Sequence, residues 1–217
     1  MTELPKPPGV RFQLKEALSH ETMSLAQITE RNLPVFEKTL VSLSEESGML
    51  PMTENANESP KEWLDSTRAL WLFGQKADRL LKPDEVVGFV NVYKPELMGH
   101  VNDMLTARGM HAYEPGTVVE LSSFAKAGNS EAELSANKLA LQKVFTDDSF
   151  KDVRGVTVWV DHTPDNVIDS GEADMVKKLG GWAIGTARYN PSETVDSTCF
   201  LITRRKYIDA MTGQGQK

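Results

Sequence analysis

The alternation of apolar and polar positions along the chain switches repeatedly between a period of two and a helical period. Apolar, aromatic and β-branched runs of this kind predict strands. The predicted strands are 9–17, 69–76, 85–94, 117–126, 154–162, 182–190 and 198–205. We expect 69–76 and 85–94 to form a pair, and the last two strands to form a closing hairpin.

Helical patterns and cap signals fill the segments between these strands. Ser59 opens the capping box S-P-K-E with Pro60 in the first turn. The other predicted helices are 20–33 with a restart at Pro34 up to Gly48, 95–110, 131–146, and one from Ser170 to Gly180. This order of elements predicts one α/β or α+β layer fold in a single domain, 1–217, with loose tails at 1–8 and 212–217.

Composition and charge limit the function. The chain has 217 residues, of which 40% are hydrophobic, so it can bury a sizeable core. Its net charge of −7 opposes binding to nucleic acid or an anionic membrane, and the basic run Arg204–Lys206 is typical of solvated surface charge. The single Cys199 cannot form an intrachain disulfide, no apolar run approaches the roughly 20 residues of a membrane span, and we expect a cytoplasmic protein.

The junction between the central strand and the following helix is the most informative segment. The strand TVVELSSFAK breaks at AGNS and continues directly as the helix EAELSANKLALQKVF. A polar, glycine-containing turn before a helix can bind a phosphorylated ligand. Ser130 and Glu133 predict a second capping box, and Glu131 and Glu133 would each repel a phosphate by about 1–4 kcal/mol.

Three segments in order, DEVVGFVNV, VVELSSFAKA and ADMVKKLGGW, resemble the GNAT acyltransferase superfamily. The resemblance spans roughly residues 9–206. It implies a mixed central sheet flanked by helices. It also implies transfer of an acyl group, with acetyl expected, from acetyl-CoA or another acyl-CoA to a small-molecule or peptide amine. The resemblance leaves the oligomeric state open, and a homodimer is one of the possible states.

In that superfamily the fourth strand splays from the fifth, and the following helix presents its amino end to the cofactor. The resemblance therefore implies that Phe124, Ala125 and Lys126 face the pantetheine arm. The implied pyrophosphate turn consists of Gly128, Asn129, Ser130 and Ala132. The two glutamates of this turn depart from the usual pattern and are expected to weaken coenzyme A binding tenfold or more.

Glu120 on the central strand is the expected general base, because amine acylation requires a carboxylate or equivalent group to accept a proton. The tyrosine that serves as general acid in the superfamily falls on Val176 here, so Tyr189 or Tyr113 would have to replace it. His162 is a further candidate base. The scattered histidines form no metal-binding motif.

Two other functions remain open at this point. The segment E-L-S-x-F resembles the acyl-homoserine-lactone synthases and related N-acyl amino acid synthases, which take acyl groups from acyl carrier protein; Ser123 stands where they carry arginine. Alternatively, the chain could be a cofactor-free binding or regulatory module on the same fold, which the acidic turn and the missing tyrosine favour.

Overall fold

The computed structural model describes residues 23–47, 59–75, 81–93, 98–114, 116–162, 170–187 and 196–212. Its strands are β1 (Ser24–Gln27), β2 (Thr67–Gly74), β3 (Gly88–Tyr93), β4 (Val118–Ala125), β5 (Gly155–Asp161), β6 (Trp182–Ala187) and β7 (Ser197–Thr203). Its α-helices are α1 (Leu33–Ser47), α2 (Pro60–Ser66), α3 (Met98–Ala107), α4 (Ser130–Thr146), α5 (Ser170–Lys178) and α6 (Arg204–Thr212). Short 3₁₀ turns lie at Pro83–Glu85 and Asp148–Phe150.

The strands form one mixed sheet in the order β1-β2-β3-β4-β5-β7-β6. Every neighbouring pair is antiparallel except β4 and β5, which run parallel and are connected through α4. Strand β7 lies between β5 and β6, so the final hairpin of β6 and β7 joins the rest of the sheet through β7. The predicted fold class and the predicted closing hairpin are confirmed.

Helices cover both faces of the sheet. On one side, which we call the α4 face, α4, α5 and α6 pack on a core that includes Trp71, Leu121 and Val158. On the other side, which we call the α1 face, two separate clusters form. Helices α1 and α2 cover β1 to β3. Helix α3 covers the beginning of β4 and also packs on β5, β6 and β7. The two clusters flank the middle of β3 and β4 on that face.

Local signals explain the start of α2. The Ser59 hydroxyl accepts from the Glu62 N–H at 3.4 Å, and the Glu62 carboxylate accepts from the Ser59 N–H at 2.6 Å. Pro60 occupies the first turn, where its missing N–H costs nothing. The predicted capping box at Ser59 is therefore confirmed.

The prediction of a helix over 20–33 is wrong for 24–27, which form the edge strand β1 paired with β2. Met23 and Leu25 pack on the α4 face, whereas Ala26 and Ile28 pack on the α1 face. Apolar residues that serve both faces of a sheet mimic one stripe of a helix over so short a segment. The strand predicted at 9–17 lies outside the described residues.

Helix α6 was not predicted, since 198–205 was expected to be strand and 212 onward a loose tail. Its sequence is polar and buries one residue, Tyr207. The helix begins where the Arg204 guanidinium donates to the carbonyl oxygens of Phe145 at 2.5 Å and Phe150 at 2.7 Å, and its Nε donates to Val153 at 3.0 Å. This anchor joins α6 to the end of α4 and the start of β5.

None of the helices in the described ranges has the length and apolar character of a membrane span.

Two glycines with positive φ give a stability prediction. A Cβ on Gly180 (φ +85°) would lie 2.5 Å from the Lys206 carbonyl oxygen, whereas one on Gly109 (φ +68°) would meet nothing within 4 Å. We expect Gly109→Ala to lower the free energy of unfolding by about 1 kcal/mol, which is the cost of left-handed backbone alone. Gly180→Ala should cost about 3 kcal/mol or more, because the backbone of Lys206 must also move. Urea denaturation measures both, and equal losses would contradict the close approach.

Candidate active site

The parallel strands β4 and β5 part from each other halfway along their length. They pair at four positions, from Val118 opposite Gly155 to Leu121 opposite Val158. Beyond Leu121, β4 continues in register with β3 as far as Ala125. Beyond Val158, β5 continues with β7 as far as Asp161. Each strand is therefore held by its outer neighbour while a wedge opens between them, as the sequence analysis predicted.

This wedge leaves backbone groups of β4 without a ladder partner on the β5 side. Among the described residues, the segment 122–125 pairs only with β3. Backbone N–H and C=O groups are strong donors and acceptors, so an unpaired strand edge can receive an extended ligand that carries amide groups. The wedge thus presents an open strand edge at the centre of the sheet.

The turn after β4 leads into a helix start that its own N-cap side chain does not cap. Asn129 is the N-cap residue, but its side chain makes no bond to the helix; its amide nitrogen donates to the Lys126 carbonyl at 3.1 Å. Gly128 has a φ of +82° and nothing within 4 Å of a built Cβ. The predicted capping box of Ser130 and Glu133 does not form, so that prediction is wrong.

Glu133 forms a different contact, because its carboxylate points back to β4. The Ser123 hydroxyl donates to it at 2.7 Å, and the Asn137 side-chain amide donates to the Ser123 hydroxyl at 2.9 Å. Burial raises the pKa of Glu133, and the hydrogen bond from Ser123 opposes that rise. The expected repulsion of a phosphate by Glu133 is therefore replaced by an internal contact, whereas Glu131 is exposed at the turn.

Glu120 lies on the α1 face at the last rungs before the strands part. It is half-buried, and the Trp159 indole N–H donates to its Oε2 at 3.1 Å. Cys199 is buried nearby. Its burial, and to a smaller extent the negative charge of Glu120, raises the pKa of Cys199 far above its usual range. Cys199 is therefore a protonated core residue.

Two buried polar side chains lie beside Glu120 at the point where β4 and β5 part, which we call the fork. Asn91 on β3 and Ser122 on β4 are directly opposite each other in the ladder, on the same face as Glu120. Asn91 is fully buried, and among the described residues neither its amide oxygen nor its amide nitrogen has a hydrogen-bond partner; the buried Ser122 hydroxyl also has none. Sequence reasoning missed this pair, although Asn91 does interrupt the apolar run GFVNVY.

The residues predicted to face the cofactor arm continue along β4 beyond the fork. The Phe124 ring lies 5.9 Å from that of Phe89 and packs against the α1 cluster. Ala125 is half-buried against the opposite core. The Lys126 ammonium lies 3.9 Å from the Glu46 carboxylate of α1, an exposed pair.

Tyr113 and His162 do not lie at the wedge. Tyr113 lines a separate cavity with Arg154 and Thr203, at the amino end of β5. His162 hydrogen-bonds to Thr198 of β7 at 2.8 Å, on the side of β5 away from β4. Val176, where the superfamily has its tyrosine, is fully buried in the core. Tyr189 lies outside the described residues.

The sheet order and the parting parallel strands agree with the GNAT fold. The predicted resemblance is confirmed at this level. Mutant forms of the spermidine/spermine N-acetyltransferase from Vibrio cholerae superpose with a TM-score of 0.55 at 10% identity, covering 87% of this chain and 98% of that one. An uncharacterized protein from Bacillus halodurans gives 0.53 at 10% identity, covering 94% and 97%.

A further structure, a dodecameric spermidine N-acetyltransferase from Vibrio cholerae, gives a TM-score of 0.53 at 12% identity and covers 86% of this chain and 96% of that one. No model of a protein family and no curated protein matches the sequence. The likeness is therefore one of fold.

The half-buried carboxylate of Glu133 gives a pH prediction. Because its pKa is raised in the folded protein, the folded state holds the proton to higher pH than the unfolded chain does. Stability must therefore fall as pH rises from the ordinary glutamate value of about 4.3 through the raised one. Glu133→Gln should raise the melting temperature at neutral pH and leave it nearly unchanged at pH below about 4.

The control is Glu131→Gln, in the same helical turn but exposed. We expect it to leave the pH dependence of melting as in the wild type. Identical pH profiles for wild type and Glu133→Gln would show that the Glu133 carboxylate is not desolvated.

Proposed function

We propose that this protein is an N-acyltransferase that moves an acyl group, in the simplest case acetyl, from acyl-coenzyme A to an amine. The observation that carries the proposal is the wedge between β4 and β5 with a carboxylate, Glu120, at its base. The names of the relatives, spermidine N-acetyltransferases, support amine acylation. They give no support to the acyl-carrier-protein donor or to the cofactor-free module.

The described residues fit a coenzyme A donor. The unpaired edge of 122–125 offers backbone groups to an amide-bearing arm, so Phe124, Ala125 and Lys126 are proposed to hold it. The open turn and uncapped start of α4 offer N–H groups and a positive dipole end to phosphates. The proposed phosphate-binding residues are Gly128, Asn129, Ser130 and Ala132. When bound, the thioester would supply an activated acyl group.

Glu120 is proposed to accept the proton that the attacking amine must lose. The indole of Trp159 fixes the carboxylate by its hydrogen bond and limits its rotation. Glu120 and Ser122 are two residues apart on one strand, which corresponds to about 6.6 Å. A polar group of a ligand bound at the fork can therefore reach both the Glu120 carboxylate and the wedge. Asn91 and Ser122 supply neutral donors and acceptors that would orient such a group there.

Protonation of the leaving thiolate needs a second group. Val176 cannot supply a proton, and Tyr113 lies at the other end of β5. Tyr189 is therefore retained as the proposed acid. The acceptor is proposed to be a small-molecule or peptide amine, and a cytoplasmic location would give access to acyl-CoA.

The exposed Glu131 gives a test of the phosphate-binding turn. Isothermal titration calorimetry with acetyl-CoA should detect binding to the wild type. Glu131→Gln should tighten it by up to about tenfold at low ionic strength, because one carboxylate–phosphate repulsion is removed, and the gain should shrink in high salt. Glu37→Gln, an exposed change on α1, is the charge-matched control.

Absence of heat for both the wild type and Glu131→Gln would count against coenzyme A. An equal gain from Glu37→Gln would show that net charge alone, and not the turn, controls the affinity.

Glu120 gives a test of the chemical step. Release of coenzyme A is measured with a panel of primary amines that includes spermidine. Glu120→Gln should lower kcat/KM by about 100-fold or more, because the general base is lost, while the affinity for acetyl-CoA stays within about twofold. A Glu120→Gln protein with undiminished transfer would exclude Glu120 as the base.

A further inference from the structure

A second cavity lies at the end of the sheet opposite the wedge. It is open to solvent, has a volume of about 500 Å³, and is bounded by residues that precede β5, end β7 and begin α6. Arg154 in its wall and Trp159 at the fork are five residues apart on β5, which corresponds to about 16 Å. The cavity is therefore distinct from the proposed acyl-transfer site.

Positive charge dominates this cavity. Lys151, Arg154, Arg204 and Arg205 line it, and Asp209 is the one acidic residue among the described residues of its wall, so these residues carry a formal charge of +3. The whole chain has a net charge of −7. A concentration of cations on an acidic protein creates a local field that attracts anions.

The protein itself leaves these cations largely uncompensated. Within the described ranges, no carboxylate forms a salt bridge with Lys151, Arg154 or Arg205. Asp152, the acidic neighbour of Lys151, is hydrogen-bonded to Arg68, and that bond lowers the Asp152 pKa more than the charge of Lys151 does. The repulsion among the cations is thus available to be relieved by a bound anion.

Arg204 differs from the other three because its position is fixed. Its guanidinium donates to backbone carbonyls of the α4 end and of Phe150 and Val153. The carbonyls orient the guanidinium, and the partial negative charge at the carboxyl end of α4 offsets only part of its full charge. The wall of the cavity therefore carries a permanent positive charge in a rigid frame.

Apolar surface completes the cavity. The half-buried Tyr113 lies in its wall, close enough to Arg154 for that charge to lower the Tyr113 pKa against the larger rise caused by burial. Ile208 of α6 also lines the cavity and is 49% exposed, which is unusual for a large aliphatic side chain. A ligand that satisfies both features carries an anionic group and an apolar or aromatic part.

We propose that this cavity is a binding site for a small organic phosphate. Arg154, Arg205 and Lys151 bind the phosphate group, and the apolar part of the ligand packs against Tyr113 and Ile208. The volume suits a ligand of this size. The site requires no acyl-CoA and stands whether or not the protein transfers acyl groups.

The test uses 1-naphthyl phosphate as probe, with 1-naphthol as its uncharged match and inorganic phosphate as the anion alone. All three probes lack the pantetheine arm and adenine, and competition with saturating acetyl-CoA distinguishes binding in this cavity from binding of the phosphate group at the turn after β4. We expect calorimetry to show that 1-naphthyl phosphate binds at least about tenfold more tightly than either partial probe, because charged hydrogen bonds and apolar contact act together.

Arg205→Gln and Arg154→Gln should each weaken binding of 1-naphthyl phosphate by about tenfold. The matched control is Lys206→Gln, which removes the adjacent exposed charge outside the cavity and should change the affinity less than about twofold. Circular dichroism confirms folding, and either arginine variant suffices if the other does not fold.

Four results would overturn the proposal. The first three are no binding of 1-naphthyl phosphate to the wild type, an equal loss in Lys206→Gln, and displacement of the probe by saturating acetyl-CoA. A single-stranded oligonucleotide that binds more tightly than 1-naphthyl phosphate and depends equally on Lys206 would also overturn it, since the surface would then be a diffuse polyanion patch.

Discussion

The structure depends on one constraint: β4 and β5 pair for four rungs and then each follows its outer neighbour. Leaving backbone groups unpaired costs free energy, so the wedge persists only because the β3–β4 and β5–β7 ladders continue past it and hold both strands. The fork fixes what lies around it. Glu120 is at the last rungs, Ser122 is opposite Asn91 at the opening, and the turn into α4 is at its mouth.

The two glutamates at the start of α4 show how such a framework separates similar residues. Glu133 is drawn inward by Ser123 across the helix–strand contact, whereas Glu131 stays exposed. Only one carboxylate therefore remains at the turn where the sequence presents two. The electrostatic repulsion of a phosphate is smaller than the sequence suggests. The half-buried Glu133 carboxylate instead accepts a hydrogen bond from Ser123 of β4 on the α4 face.

Much of the fold could be predicted from sequence because its signals are local. Strand β2 is largely apolar on both faces, and the capping box at Ser59 needs only residues within one turn. Predictions failed where distant partners decide. The edge strand β1 is formed by its ladder with β2, α6 is held by Arg204 through carbonyls about 50 to 60 residues away, and the box at Ser130 loses to the bond between Ser123 and Glu133. The same holds for the candidate site. The resemblance gave Glu120 a role, but only the register reveals that Asn91, Ser122 and Trp159 lie beside it.

The burial of Cys199 has a practical consequence. It is the chain's single cysteine, and its thiol is enclosed in the core and held protonated. Only a thiolate attacks thiol-reactive dyes readily. The native protein should therefore not react with such dyes. Any colour that develops in a reaction mixture would then report a thiol released from the acyl donor and not the thiol of the enzyme.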